Sequence, residues 1–178
     1  MMKRALQYCA GSKVLHWLIA LIVISMLSLS FFLSDLAKDY QPSAYLIHKS
    51  FGLTVLGLMI LRVIWIFKGG KPRLPDTVPM WQQYLARFVQ NLLYFFLFAM
   101  PLTGWVMSVA AGRVPNYFGL FPVPLPIQPD KGLAETMSIM HTAIAWTLIF
   151  LIVLHIAGAL KHYIINKDQV LQTMLPKR

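Results

Sequence analysis

Apolar residues form four long stretches along this chain, separated by segments rich in charged residues and proline. About 20 apolar residues are what an α-helix needs to cross a hydrocarbon core of roughly 30 Å. The first stretch has no charged residue, whereas the second tolerates Lys49 near its start and Arg62 near its end. The pattern predicts an all-α bundle of four transmembrane helices in a single domain, residues 1–178, with helices near residues 14–34, 46–67, 88–108 and 137–165.

The connections between the stretches differ in composition. Residues 68–87 hold three prolines, and we expect an interfacial turn around Trp81 and Tyr84 before the third helix. Residues 109–136 hold five prolines among apolar residues. Loops longer than about 12–15 residues are usually functional or disordered. We expect residues 109–136 to be an outer loop without regular structure that caps one face of the bundle.

Composition and charge placement agree with a membrane protein. Apolar residues make up 58% of the chain and charged residues 12%, against about 25% charged in globular proteins. Twelve of the 16 Lys and Arg residues fall before helix 1, between helices 2 and 3, after helix 4 or at the adjoining helix ends. The positive-inside rule therefore predicts that both termini lie in the cytoplasm. In so apolar a chain the basic excess favours membrane lipid over nucleic acid as the partner.

The five histidines all fall within or beside these predicted spans. Ionisable groups in a bilayer are costly and usually mark function. His141 and His155 are about 21 Å apart along helix 4 and lie on nearly the same face. Because alternate helices run in opposite directions, His16 is expected at the depth of His155, near the inner boundary, and His48 at the depth of His141, near the outer one.

Two pairs of imidazoles at separate depths favour two b-type haems. Each haem takes two axial ligands from the protein, whereas zinc takes four ligands, or three and an open position. The competing interpretation is that an intramembrane histidine only hydrogen-bonds a neighbouring helix. Four histidines that pair by depth make that interpretation harder to sustain.

Three further features leave alternatives open. His162 lies one heptad after His155, without a partner at its own depth, and is either a snorkelling side chain beside Lys161 or a donor to a haem propionate or a quinone. Arg62 either pairs with a propionate or snorkels to the interface. The small residues Gly52, Gly57 and Gly104 either admit a porphyrin or serve ordinary helix packing.

Several sequence motifs resemble those of the prokaryotic cytochrome b561 family, over nearly the whole chain. They are Leu15-His16-Trp17, His48-Lys49-Ser50-Phe51-Gly52, Leu61-Arg62-Val63-Ile64-Trp65, His141, and the segment from His155 through Lys161-His162 to Lys167-Asp168. The resemblance implies haem b held by His16 and His155 on the cytoplasmic side, and by His48 and His141 on the periplasmic side. It also implies a multi-pass protein of the bacterial inner membrane that oxidises superoxide at the periplasmic face, with ubiquinone as the electron acceptor.

The same resemblance places His162 at the quinone site, and we add Arg73 as a second quinone candidate. An anionic donor such as superoxide is drawn by positive potential, which Lys49 and Arg113 could supply. The nearby carboxylates bring the net charge of the outer loops close to zero, so steering depends on local placement.

Two other functions compete with this one. The chain could be a cytochrome subunit that relays electrons for a separate periplasmic redox protein docked on the outer loop. It could instead be a transporter of divalent metal ions, which would call for carboxylates inside the spans. The predicted spans contain none.

Overall fold

The computed structural model describes residues 7–70 and 78–175 and consists mainly of four long helices. These helices are α1 (Ala10–Ser30), α2 (Gln41–Gly69), α3 (Met80–Ala110) and α4 (Lys131–Lys161). Each is long and apolar enough to cross a membrane. The predicted all-α architecture with four transmembrane helices is confirmed.

The helices extend beyond the apolar stretches that predict them. α2 begins at Gln41, five residues before its apolar stretch, with Pro42 in its first turn, where the missing N–H of proline is tolerated. α4 begins at Lys131, because the Asp130 carboxylate accepts a 2.9 Å hydrogen bond from the Leu133 N–H and caps the helix. Apolar length predicts the membrane-crossing part of a helix, whereas capping residues set where the helix starts.

Two expectations at helix ends were wrong. α3 begins at Met80, so Trp81 and Tyr84 lie on the helix itself and not in a separate turn. α1 ends at Ser30, four residues before the predicted end, where it tightens into turns such as the 3.0 Å bond from the Phe32 N–H to the Leu29 carbonyl. Because residues Phe31 to Leu33 are apolar, the hydrophobic pattern does not distinguish this turn from a continuation of the helix.

The outer connection is shorter and more ordered than expected. It contains a two-stranded antiparallel hairpin, β1 (Asn116–Tyr117) and β2 (Phe121–Pro122), in which Tyr117 pairs with Phe121. Phe118 and Gly119 turn the chain with positive φ angles of 48° and 78°. The prediction of no regular structure is corrected, because Pro122 at a strand position needs no ladder hydrogen bond on its own nitrogen.

Consecutive helices pack side by side, and the bundle core lies between α1 and α2. Its most buried residues are Ile19, Val23, Val55 and Met59. α4 packs extensively along α3, but it has little close backbone contact with α1 or α2. The bundle therefore leaves a gap along the inner side of α4, and the histidines border that gap.

Both ends of the described chain lie at the same end of the bundle, called here the terminal end. The segment after α4 contains a π-helical turn (His162–Asn166) and a short 3₁₀ turn (Leu171–Thr173), and it folds back on α1. The Trp17 indole N–H donates to the Met174 carbonyl at 3.0 Å, and the Tyr8 N–H donates to the Thr173 carbonyl at 3.4 Å. The opposite end, with the hairpin, is called the loop end.

Candidate cofactor site

His16 of α1 faces His155 of α4 across the gap near the terminal end. Their ring centroids are 6.2 Å apart and the ring planes are inclined by 73°. A metal–imidazole bond is about 2 Å long and the ring centre lies about 1 Å behind the nitrogen, so two imidazoles on opposite sides of one metal ion have centroids about 6 Å apart, against about 5 Å in a tetrahedral site. The observed separation fits two imidazoles that would hold one metal ion from opposite sides.

His48 of α2 and His141 of α4 line a cavity of about 540 Å³ near the loop end. Gly52 and Gly104 border the same cavity. A Cβ atom added to Gly104 would lie 2.9 Å from Cε1 of the His141 ring, so the imidazole packs directly on the backbone of α3. The cavity is mainly apolar with a few polar groups, as cofactor sites commonly are.

Thr103 determines which nitrogen of His141 is available to a ligand. The Thr103 hydroxyl donates to the Met100 carbonyl at 2.9 Å, and its oxygen lies 3.1 Å from Nδ1 of His141. Because the hydroxyl proton is already used, Thr103 accepts the hydrogen bond and Nδ1 carries the proton. Nε2 is then left with a free lone pair, which is the arrangement found in metal-ligating histidines.

The donor set fits haem better than a metal ion bound by protein alone. Within the described parts of the chain, no three His, Cys, Asp or Glu side chains converge on one point. Four of the histidines form two pairs, and the two members of each pair lie on helices separated by the gap. A flat macrocycle that brings its own four nitrogens needs two such ligands and a slot.

Within the described residues, two buried cations at the terminal end have no carboxylate partner. Arg62 is only 8% exposed, and its Nε donates to the Tyr94 hydroxyl at 2.8 Å; the alternative that Arg62 snorkels to the interface is wrong. Lys13 is 7% exposed and donates to the Gln7 side chain and the Leu175 carbonyl, which are both neutral. The described residues contain only two ion pairs, and neither involves Arg62 or Lys13.

Lys13 was missed by sequence reasoning. A lysine in the first turn of an apolar helix looks like a side chain that reaches water. It is buried because the segment after α4 covers it, and nothing in the local sequence indicates that contact. Its one available signal is its spacing of three residues from His16, which places both on one side of α1.

His162 lies in the π-helical turn and is buried, so it does not snorkel as one interpretation held. Its Nδ1 lies 2.5 Å from the Asp168 carboxylate. Burial alone would raise the pKa of Asp168, but hydrogen bonds from the Val170 N–H, His162 and Asn166 lower it below its usual value. Lys161 instead lies over the Trp81 ring, 5.7 Å from its centroid. The other quinone candidate, Arg73, lies outside the described residues.

The two steering candidates sit in neighbouring spaces at the loop end. Lys49 lines the cavity that His48 and His141 share. Arg113 lines an open hollow of about 520 Å³ between the end of α3 and the start of α4. Met107 and Ser138 border both spaces, so the hollow adjoins the cavity.

Comparison with known proteins identifies similar chains along nearly the full length. A family model described as prokaryotic cytochrome b561 matches residues 7–177. "Cytochrome b561 homolog 2" of Escherichia coli (strain K12) is 33% identical, covering 96% of this chain and 92% of the relative. "Probable superoxide oxidase CybB" of Yersinia pestis is 32% identical, covering 92% and 93%. "Cytochrome b561 homolog 1" of E. coli (strain K12) is 28% identical, covering 92% and 94%.

Proposed function

Because this chain belongs to the prokaryotic cytochrome b561 family, whose members bind b-type haem and transfer electrons in the membrane, we propose that it carries two haems and oxidises superoxide with ubiquinone as acceptor. The chain is a multi-pass protein of the inner membrane. In the proposed orientation the loop end faces the periplasm and the terminal end faces the cytoplasm, as the placement of basic residues favours.

The proposed ligands are His16 and His155 for the haem at the terminal end, and His48 and His141 for the haem at the loop end. The observation that carries the proposal is the 6.2 Å separation of the His16 and His155 rings. Haem b, when bound, takes up and gives back one electron at a time. The protein supplies the axial nitrogens, an apolar slot and the exclusion of water.

Arg62 and Lys13 are proposed to neutralise the propionates of the haem at the terminal end. A buried cation without a carboxylate is costly, and both side chains lie on the helices that bear or neighbour the His16–His155 pair. A carboxylate brought by a cofactor would remove that cost. The sequence leaves open whether Arg62 pairs with a propionate, and the burial of Arg62 favours that pairing.

Superoxide as the donor is supported by the local arrangement of charge at the loop end. Lys131 offsets the charge of Glu135 at 3.7 Å, and Asp130, which caps α4, is the remaining carboxylate of the hollow. Arg113 and Lys49 then remain to attract an anion toward the cavity. The 32% identity to a probable superoxide oxidase adds to this proposal.

His162 is proposed to bind ubiquinone at the terminal end. Asp168 engages Nδ1 and fixes the ring, so Nε2 is the nitrogen left to meet a quinone. The buried ring lies in the turn that follows α4, at the end of the bundle proposed to meet ubiquinone.

A reduced-minus-oxidised spectrum with haem counted per chain tests the two-haem proposal. We expect two low-spin haems in the unaltered protein, one in His155→Ala and one in His141→Ala, with the spectra of the two variants differing. The haem that each variant retains shows that its bundle has folded. His162→Ala is the matched control and should keep both haems. Two haems in either ligand variant would contradict the assignment.

A separate assay tests the proposed reaction. Superoxide generated outside proteoliposomes should reduce ubiquinone at a rate that depends on both haems. If the protein carries both haems but shows no superoxide-driven quinone reduction, only the proposed donor and acceptor are contradicted. It would favour the alternative, an electron carrier for a separate periplasmic redox protein.

A further inference from the structure

The outer hairpin, defined as residues 114–127 with β1 and β2, presents three large apolar side chains away from the bundle. Leu120 is 76% exposed and Phe121 53%, and Phe118 is also exposed. We propose that these side chains insert into the outer leaflet, so that the hairpin is a membrane-embedded anchor and not a loop in water. This inference does not depend on the proposed redox activity.

The depth of the hairpin is the first argument. Ser50, which the hairpin contacts, lies nine residues into α2 and four residues, or about 6 Å, beyond the start of its apolar stretch. Trp105, whose indole N–H donates to the Val123 carbonyl at 2.8 Å, lies five residues, or about 8 Å, before the end of α3. The loop therefore folds back along the helices to a level within their apolar part.

The backbone hydrogen bonds of the hairpin are the second argument. Non-helical backbone at membrane depth is tolerated only where its polar groups are satisfied within the protein. The Phe118 N–H donates to the fully buried Ser50 hydroxyl oxygen at 2.8 Å, the Leu120 N–H to the Tyr117 carbonyl at 2.9 Å and the Val123 N–H to the Pro115 carbonyl at 2.8 Å. Four prolines in the segment have no N–H to satisfy.

The side chain of Tyr117 also has its polar group hydrogen-bonded within the protein. The Thr54 hydroxyl donates to the Ser50 carbonyl at 2.9 Å, so its oxygen accepts a hydrogen bond from the Tyr117 hydroxyl at 3.1 Å. Tyr117 thus turns its polar group toward α2 and leaves the apolar residues on the opposite side. A hairpin that only crossed water would not need to bury its polar groups in this way.

Charge decides which partner the apolar surface fits. Residues 114–129 contain no charged side chain, and the flanking positions are Arg113 and Asp130. Docking surfaces for soluble redox proteins rely on charge to steer and orient the partner. The surface is also continuous with the lipid-facing side of α2, because the Phe118 ring lies 5.4 Å from that of Phe51 and Ile47, one turn earlier, is exposed. Lipid is the occupant that matches both features.

A nitroxide label on Leu120→Cys, in a Cys9→Ser background that removes the sole native cysteine, tests the anchor. The full chain is reconstituted in phosphatidylcholine–phosphatidylglycerol vesicles. Collision with oxygen, which concentrates in lipid, is compared with collision with a neutral nickel chelate, which stays in water, each relative to nitrogen. Phe95→Cys on α3 is the lipid control, and Glu135→Cys at the start of α4 is the water control.

We expect the ratio of oxygen to nickel accessibility at position 120 to be several-fold above that at position 135 and close to that at position 95. Phe121→Cys should give the same result, and neither exposed position is needed for folding. A nickel accessibility equal to that at position 135 would overturn the proposal. So would an immobilised label accessible to neither reagent, because a second copy of the chain or a protein partner would then cover the hairpin.

Discussion

At the terminal end, the rings of His16 and His155 already stand at the spacing of two ligands on one iron, and the buried cations Arg62 and Lys13 lie on the neighbouring helix surfaces. At the loop end, His48 and His141 border an open cavity whose lining cation, Lys49, is only partly buried. The same pair of residue types therefore sits in two different electrostatic environments. This difference matters because identical axial ligands cannot by themselves set two different potentials.

With the two proposed haems bound, these environments would favour electron flow from the loop end to the terminal end. A nearby positive charge stabilises the reduced form of a bound haem and raises its potential. The hydrogen bond that Thr103 accepts from His141 makes that imidazole a stronger donor, which stabilises the oxidised form. Both effects act in the same direction, so the haem at the terminal end is expected to have the higher potential.

The substitution with the largest expected effect is Gly104→Ala, which adds one methyl group and should affect haem binding at the loop end only. In Gly104→Ala the new Cβ would lie 2.9 Å from the His141 ring, and the imidazole cannot stay where it is. We expect loss of the haem at the loop end and retention of the other, measured as haem per chain and by the reduced-minus-oxidised spectrum.

Gly57→Ala is the matched control for that substitution. It is also a glycine in a helix, but a Cβ there meets nothing within 4 Å. Alanine should stabilise the helix by about 0.5–1 kcal/mol and leave both haems bound. If Gly104→Ala bound two haems with unchanged spectra, the close approach of His141 to α3 would have no bearing on the cofactor.

The second prediction sharpens the electrostatic contrast. Arg62→Gln removes a buried charge at the terminal end, and we expect only the haem there to fall in potential. At an effective dielectric constant of about 20, a unit charge near the haem contributes on the order of 1 kcal/mol, or roughly 40 mV for one electron. Redox titration of both haems measures the change. An equal shift in both haems would show that Arg62 does not distinguish the two ends.

The four helices could be predicted from sequence because about 20 consecutive apolar residues have few alternatives to a transmembrane helix. The depth matching of His16 with His155 follows from the same counting, since helical rise and alternating direction fix the level of each residue. Neither step needs information about side-chain contacts.

Other features depend on contacts between residues distant in the sequence. Lys13 is buried because the segment near Leu175 returns to α1, a separation of 162 residues. The outer hairpin is ordered because Ser50 holds it, 68 residues before Phe118. His162 finds Asp168 only because a π-helical turn redirects the chain after α4. No hydrophobic pattern indicates any of these three contacts.

The third prediction concerns the approach of the donor at the loop end. Arg113→Gln should slow the superoxide-dependent reduction of bound haem by about two- to five-fold at low salt, because steering by one exposed charge is modest and screened by ions. Stopped-flow measurement at low and high ionic strength gives the rate. The difference from the unaltered protein should disappear at high salt, and Lys38→Gln, on the other outer connection, should change the rate little. A salt-independent loss would mean that Arg113 acts by some means other than steering.

The smallest expected effect lies at the terminal end and depends on pH. The pKa of Asp168 is lowered in the folded protein, so its contribution to stability is fully present above the usual aspartate pKa of about 3.9 and is lost as the pH falls through the lowered value. Asp168→Asn should cost about 1 kcal/mol at neutral pH, since the carboxylate is partly open to solvent. The variant should also lack the part of the acid-induced loss of stability that Asp168 causes. Thermal unfolding at pH 7 and near pH 3.5 measures the acid sensitivity, and Asp39→Asn, at an exposed position, controls for general acid effects. Equal acid sensitivity in Asp168→Asn and the unaltered protein would show that the His162–Asp168 pair does not stabilise the terminal end.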